Sequence, residues 1–171
     1  MKIVLAIGLT LVVLGVGVVA VGWMLPVEHR SVVTRTIPAP ADEVWARIAS
    51  VEDWATWRTD VRRVEMEAGD RAVVTDSNGR VRYRIERTAD RTLVTTIDQE
   101  GLPYGGRWIW SVEPAEDGIS ASVTVEEEGE VYNPVFRFVS RFILGHDATI
   151  RSVLDELESS VRSQRPRFRP N

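Results

Sequence analysis

A broad apolar stripe near the carboxyl end constrains the fold more than any other stretch. Val135, Val139, Phe142, His146, Ile150, Val153, Leu157 and Val161 recur at three- and four-residue steps, and Phe138, Ile143 and Leu154 widen the same face. That spacing predicts one long amphipathic helix from Asn133 to about Val161. Asn133 suits the N-cap and Pro134 the first helical position, while Arg137, Arg141, Arg151, Glu158 and Arg162 fall largely off the stripe. Gly145 sits mid-pattern, where it costs about 1 kcal/mol relative to alanine and marks a place to bend. A helix of roughly 28 residues is about 42 Å long and needs a partner surface of similar reach.

The chain between residues 29 and 131 supplies that surface, because most of it reads as strand. Ser31 to Ile37 is an opening strand, stopped by Pro38-Ala39-Pro40. Ala41 to Ser50 is a short helix, with Asp42 and Glu43 favouring its amino-terminal dipole and Val44, Trp45 and Ile48 on its apolar side. A second short helical or irregular piece, Val51 to Trp57, carries Trp54 and Trp57. From Val61 the period changes to two. Val64 and Met66, then Val81, Tyr83 and Ile85, then Leu93, Thr95 and Ile97 each share a face. Trp108, Trp110 and Val112, then Ala121, Val123 and Val125, do the same. Gly69-Asp70, Asn78-Gly79, Ala89-Asp90-Arg91 and Glu116-Asp117-Gly118 are turns between them. Such alternation buries one face and wets the other, and tight turns between successive strands make an antiparallel meander.

The amino terminus is of another kind. Ile3 to Leu25 carries no charged side chain, and this run of about 23 residues exceeds the roughly 20 that span a bilayer as a helix. Trp23 near its end suits an interfacial position and Pro26 stops the helix. The competing reading is a cleaved signal peptide with a small residue at Ala20; the length of the run and the single basic Lys2 favour a single-pass anchor. Lys2 on one side and Arg30 and Arg35 on the other leave its orientation, and so the side of the membrane on which the domain lies, open. The organisation expected is an anchor over residues 1–26, a domain over 27–163 and a basic tail, rich in arginine and proline, over 164–171. The net charge of −4, without a basic stripe, argues against a general nucleic-acid binder. The absence of cysteine excludes disulfides, thiolate metal sites and thiol nucleophiles.

Taken in order, several segments resemble the START-like superfamily, also called SRPBCC, and within it the polyketide cyclase/dehydrase and lipid-transport branch. They are Thr34-Arg35-Thr36-Ile37-Pro38-Ala39-Pro40-Ala41-Asp42-Glu43-Val44-Trp45, Trp57-Arg58-Thr59-Asp60-Val61, Gly106-Arg107-Trp108-Ile109-Trp110, and Gly129-Glu130-Val131-Tyr132-Asn133-Pro134. The resemblance covers residues 29 to about 162. It implies an α+β helix-grip fold: a curved antiparallel sheet of about six to seven strands wrapped around a long carboxyl-terminal helix, with a cavity between them. Here a single transmembrane helix precedes that domain. Members mostly bind hydrophobic small molecules, lipid-like or polyketide-like, and some catalyse aldol-type cyclisation or dehydration. The superfamily has no universal catalytic motif, so no catalytic residue is carried over; His29 and His146 are the only histidines, too few converging ligands for zinc or iron, and no metal or cofactor is expected.

A cavity of this kind is mostly apolar with a few polar groups. The residues expected to line it are Trp54, Trp57, Met66, Tyr83, Trp108, Trp110, Phe138 and Phe142. Large flat side chains suit sterol, polyketide or acyl ligands, although each is also ordinary core filling. Arg58 and Asp60 flank the expected mouth, where a surface ion pair is the simpler reading. Period two places Glu126, Glu128 and Glu130 on one face and Glu127 on the other; an inward carboxylate, or His146, is what an enzyme would use. Pairing of this acidic run with Arg82, Arg84 or Arg107 would make it structural instead. Gly101 to Gly106, with Tyr104, is either a gate at the mouth or a plain strand connection. The partners expected are a hydrophobic small molecule and a membrane. Oligomeric state and the question of catalysis are left open, and a non-catalytic interaction module is a third reading.

Overall fold

The computed structural model describes residues 2–77, 79–144 and 147–164. Asn78 of the expected hairpin turn, Gly145, His146 and the tail from Arg165 onward lie outside the described residues. Helix α1 (Lys2–Met24) leads into strand β1 (Glu28–Ile37), helix α2 (Ala41–Ala49) and a 3-10 segment (Val51–Thr56). Six strands follow: β2 (Arg63–Glu67), β3 (Arg71–Asp76), β4 (Gly79–Arg87), β5 (Thr92–Ile97), β6 (Tyr104–Pro114) and β7 (Ala121–Val131). The chain ends with helix α3 (Pro134–Val139), a π-helical segment (Ser140–Leu144) and helix α4 (Ala148–Gln164).

All seven strands form one antiparallel sheet in the order β1-β7-β6-β5-β4-β3-β2. Successive strands from β2 to β7 are neighbours, as tight turns require, and β1 joins the far edge beside β7. The turns carry the residues they need: Gly69 and Asp70 have φ of 74° and 56°, and Gly118 has φ of 69°. The inward row of each strand is the apolar one. Ile37, Leu93, Val123 and Val125 are fully buried, and Ile85, Trp110 and Val112 nearly so. On the outer face, charged side chains pair across strands, as in Arg82 with Glu67 and Arg80 with Glu65. Ile150, Val153, Leu154, Leu157 and Val161 of α4 complete the same core, with Val44 and Ile48 of α2. Ion pairing of Arg35 with Asp155 and hydrogen bonds from Thr59 to Glu156 tie α4 to β1 and to the loop after the 3-10 segment.

Three sequence expectations are corrected. The single helix from Asn133 to Val161 is instead divided. Its start is as expected, with the Asn133 side chain accepting from the Val135 and Phe136 amides at 2.9 and 3.3 Å. After Val139 the π-helical segment adds residues per turn, so the apolar stripe changes phase there. The stripe packs against the sheet only from Ile150 onward; Val135 is 40% and Phe142 59% exposed. The first strand, read as starting at Ser31, starts at Glu28, because residues 28–30 pair with residues 128–130 of β7. Gly105 and Gly106 likewise lie within β6, not ahead of it.

Helix α1 carries no charge after Lys2, and its described side chains are almost all exposed. Among the described residues it is the one helix long and apolar enough to cross a membrane, a property a signal sequence shares.

Candidate functional site

The inward rows change character along their length. On β6 the row runs Val112, Trp110, Trp108, Gly106, Tyr104; on β7 it runs Val123, Val125, Glu127, Gly129. On β5 it is Leu93, Thr95, Ile97, and on β1 Ile37, Arg35, Val33, Ser31, His29. Side chains become smaller or polar toward one end of the sheet, and there the core gives way to a cavity of about 440 Å³. That size falls in the range of small-molecule pockets.

One wall is aromatic: Trp54, Tyr83, Tyr104 and Trp108 line it together with Val61, Val74 and Ile97. Polar groups flank these rings on both sides: Asp76 comes from β3, Thr95 stands opposite Trp108 on β5, and His29 and Glu127 come from β1 and β7. Ser140, Ala148 and Thr149 bound the side toward the helices. Two glycines bring strand backbones close here. Gly106 has φ of 128°, and a Cβ on it would stand 2.2 Å from the Glu128 carbonyl oxygen. Gly129, its register partner, faces the His29 ring, which a Cβ would meet at 2.2 Å. The His29 imidazole thus occupies the room that Gly129 leaves, and its Nε2 stands 3.8 Å from Glu127 Oε1. Both side chains are largely withdrawn from solvent.

Arg58 crosses the aromatic wall. Its guanidinium lies 4.7 Å from the Trp54 ring centroid and 5.8 Å from that of Trp108, a cation–π arrangement. It donates to both Asp60 oxygens at 2.7 and 3.1 Å. With 10% of its side chain exposed, Arg58 lines the cavity and is not the surface partner that its position suggested. Trp54 is held by its own indole N–H, which donates to the Ile48 carbonyl at 3.0 Å. Burial, and after it the Asp76 carboxylate, pushes the Tyr83 phenol up from its ordinary pKa; burial does the same for Tyr104. Both phenols are therefore hydrogen-bond donors at neutral pH.

The eight aromatic and methionine residues picked from the sequence divide. Trp54, Tyr83 and Trp108 meet around the cavity. Trp110 sits one inward position deeper, 5.8 Å from Trp108 ring to ring, and is fully enclosed by core. Trp57 is likewise a core residue. Met66 lies on β2, the edge strand, and is 46% exposed. Phe138 and Phe142 pack on each other with ring centroids 4.9 Å apart and planes tilted by 48°, and neither lines the cavity. Of the acidic run, Glu126 and Glu128 point to the outer face and pair with Arg30 and Arg107, each at 2.6 Å. Arg82 and Arg84 pair elsewhere, with Glu67 and Asp98. The inward member is Glu127. Its parity is legible; that His29 joins it is not, since the opening strand reads from Ser31, beyond His29.

A larger hollow, about 970 Å³, adjoins the cavity along Gly105, Gly106 and Gly129 and extends to the β5–β6 connection, with Gln99, Glu100 and Leu102. Its charged side chains are in part already paired, Arg107 with Glu128 and Arg30 with Glu126, so the ring-walled cavity is the better candidate for a ligand. Among the described residues no group of three potential ligands converges as a metal site would need.

The backbone is similar to several solved structures. A START superfamily protein from Mycobacterium smegmatis superimposes with a TM-score of 0.65 at 14% identity, covering 80% of this chain and 99% of that one. Zhui aromatase/cyclase from Streptomyces sp. R1128 gives 0.63 at 14%, over 80% of this chain and 95% of that one. Norcoclaurine synthase from Thalictrum flavum gives 0.63 at 13%, over 82% and 90%. At such identities the likeness establishes the helix-grip fold alone. No curated protein sequence matches the chain. A family model does, from residue 28 to residue 162, which is nearly the whole of the sheet and helices beyond α1. The chain belongs to the polyketide cyclase / dehydrase and lipid transport family, within the START-like (SRPBCC) superfamily.

Proposed function

We propose that the protein binds a hydrophobic small molecule bearing one polar end, lipid-like or polyketide-like, in the cavity between the sheet and α4, and that α1 anchors it to a membrane. The observation that carries the reading is the cavity itself: about 440 Å³ lined by the rings of Trp54, Tyr83, Tyr104 and Trp108, with the polar His29 and Glu127 supplied by β1 and β7. The apolar part of the guest lies against Trp54, Tyr83 and Trp108, and its polar end reaches His29 and Glu127. As a helix of 23 residues, α1 is about 34 Å long, against roughly 30 Å of bilayer hydrocarbon. The link from Met24 to Glu28 is short, which holds the domain against the bilayer.

The test is mass spectrometry of what co-purifies with the full chain in mild detergent, followed by titration with a fluorescent fatty acid. Binding that is lost in Thr95→Trp, which fills the cavity, supports the reading. An empty protein whose affinity Thr95→Trp leaves unchanged overturns it.

A second reading has its own observation. The 3.8 Å separation of His29 from Glu127, both facing the cavity, suits proton transfer to a bound carbonyl compound, as a cyclase or dehydratase requires. Turnover of a poly-β-keto thioester that His29→Ala and Glu127→Gln each abolish, with binding retained, would favour it. Turnover equal in the wild type and both variants would exclude this pair.

A further inference from the structure

Helix α3 and the π segment leave apolar side chains uncovered. Phe136 is 53% and Phe142 59% exposed, and at the adjoining end of α1 Trp23 and Met24 are 71% and 87% exposed. Phe136 and Phe142 leave the segment on different sides, and exposed rings of this size beside the equally exposed end of α1 mark an interaction site. Two contacts fasten it to α1. Gly22 is buried, and a Cβ on it would lie 1.9 Å from the Pro134 carbonyl oxygen, so the two helices touch backbone to backbone. Arg137 donates to the Leu25 carbonyl at 2.8 Å and to the Tyr132 carbonyl at 3.2 Å, which joins the end of α1 to the start of α3.

These contacts set a depth. Gly22 is two residues before the last residue of α1, about 3 Å along the helix axis. The end of a membrane-spanning helix lies at the lipid–water boundary, where tryptophan is enriched. Fastened there, α3 lies at the same level. Exposed Arg141, next to Phe142, is placed to reach lipid phosphates while its stem stays in apolar surroundings.

We propose that α3 and the π segment form an interfacial element. Phe136 and Phe142 dip into the boundary between headgroups and acyl chains, and the Gly22–Pro134 contact holds them there. The occupant is a bilayer and not a protein, because these rings adjoin the exposed apolar end of α1, to which α3 is fastened. Ser140 of the same segment borders the cavity, so the element then lies between the cavity and the lipid. The inference rests on the reading of α1 as a membrane span.

The chain has no cysteine, so single cysteines carry a fluorescent label cleanly. Phe136→Cys, Phe142→Cys, Leu14→Cys in α1 and Ile119→Cys in the β6–β7 turn would each be labelled with an environment-sensitive dye. The full chain would be reconstituted into phosphatidylcholine–phosphatidylglycerol vesicles containing nitroxide lipids. Labels at 136 and 142 are expected to shift to the blue and lose most of their emission to a shallow nitroxide; the label at 14 responds to a deep one, and the label at 119 to neither. A label at 142 as wet as that at 119, with the label at 14 quenched, overturns the interfacial element and leaves the anchor standing. Loss of quenching at 14 as well overturns both. Concentration-dependent shielding of 142 in detergent without vesicles assigns the face to a second copy and overturns the proposal. Gly22→Leu should release the label at 142 while that at 14 stays quenched; unchanged quenching at 142 would overturn the role given to the helix contact.

Discussion

The two ends of one sheet solve different problems with the same strands. At one end the inward residues are Ile37, Leu93, Trp110, Val112 and Val123, each 0–1% exposed and packed on α2 and α4. At the other end the same strands turn inward His29, Thr95, Trp108, Gly106 and Glu127, and a cavity opens between them. Neither pairing nor register changes between the ends; β6 and β7 stay in step from Tyr104–Val131 to Pro114–Ala121. The hollow is therefore made by side-chain choice and not by a break in the sheet. Stability resides at the filled end, which leaves the open end free to carry polar groups and glycines that a core would reject.

Substitutions at matched positions test that division, and the largest contrast is between neighbouring tryptophans. Trp110→Ala should cost about 3–5 kcal/mol in urea denaturation, as for a ring removed from a filled core. Trp108→Ala, on a wall already half open, should cost no more than about 2 kcal/mol yet abolish fatty-acid binding. Equal losses would erase the distinction between the ends. Next come the glycines. Gly106→Ala must accept a φ of 128° and a clash with the Glu128 carbonyl, and is expected to lower stability by about 2–3 kcal/mol in thermal unfolding. Gly118→Ala, in an open turn with nothing within 4 Å, should lose about 1 kcal/mol.

Smaller effects separate the faces of β7. Glu126→Gln and Glu127→Gln should each change stability by less than about 1 kcal/mol. Only Glu127→Gln is expected to alter ligand affinity in titration; an equal response from Glu126→Gln would show that the outer face takes part. The smallest effect at neutral pH is that of Tyr83→Phe. Burial raises the Tyr83 phenol, so the folded state keeps its proton longer than the unfolded chain does. That contribution is fully present below about pH 10 and lost as pH rises above it. Melting curves at about pH 9 and about pH 11 should fall further for the wild type than for Tyr83→Phe.

The filled end was the more legible in the sequence. Alternation of Val123 and Val125 with Ser122 and Thr124 marks an inward face because burial rewards one parity only. The cavity was half legible. Parity set Glu127 apart from Glu126, and Trp54, Tyr83 and Trp108 were named, but parity says nothing about which end of a strand is packed. Met66 has inward parity and still lies half exposed, because edge strand β2 is only five residues long. His29 was missed since its place depends on pairing with Gly129, a hundred residues later in the chain. The division of the terminal helix was missed because a π segment changes the phase of a stripe without changing its composition.

The pairing of β1 with β7 has a consequence for biosynthesis. Glu28 meets Glu130 and Ile37 meets Ala121, so the first strand to leave the ribosome has no partner until almost the whole domain has been translated. Contacts this distant along the chain form slowly. β1 would wait as an unpaired edge through most of synthesis, and only after the sheet closes could α4, made last, settle on it and complete the core.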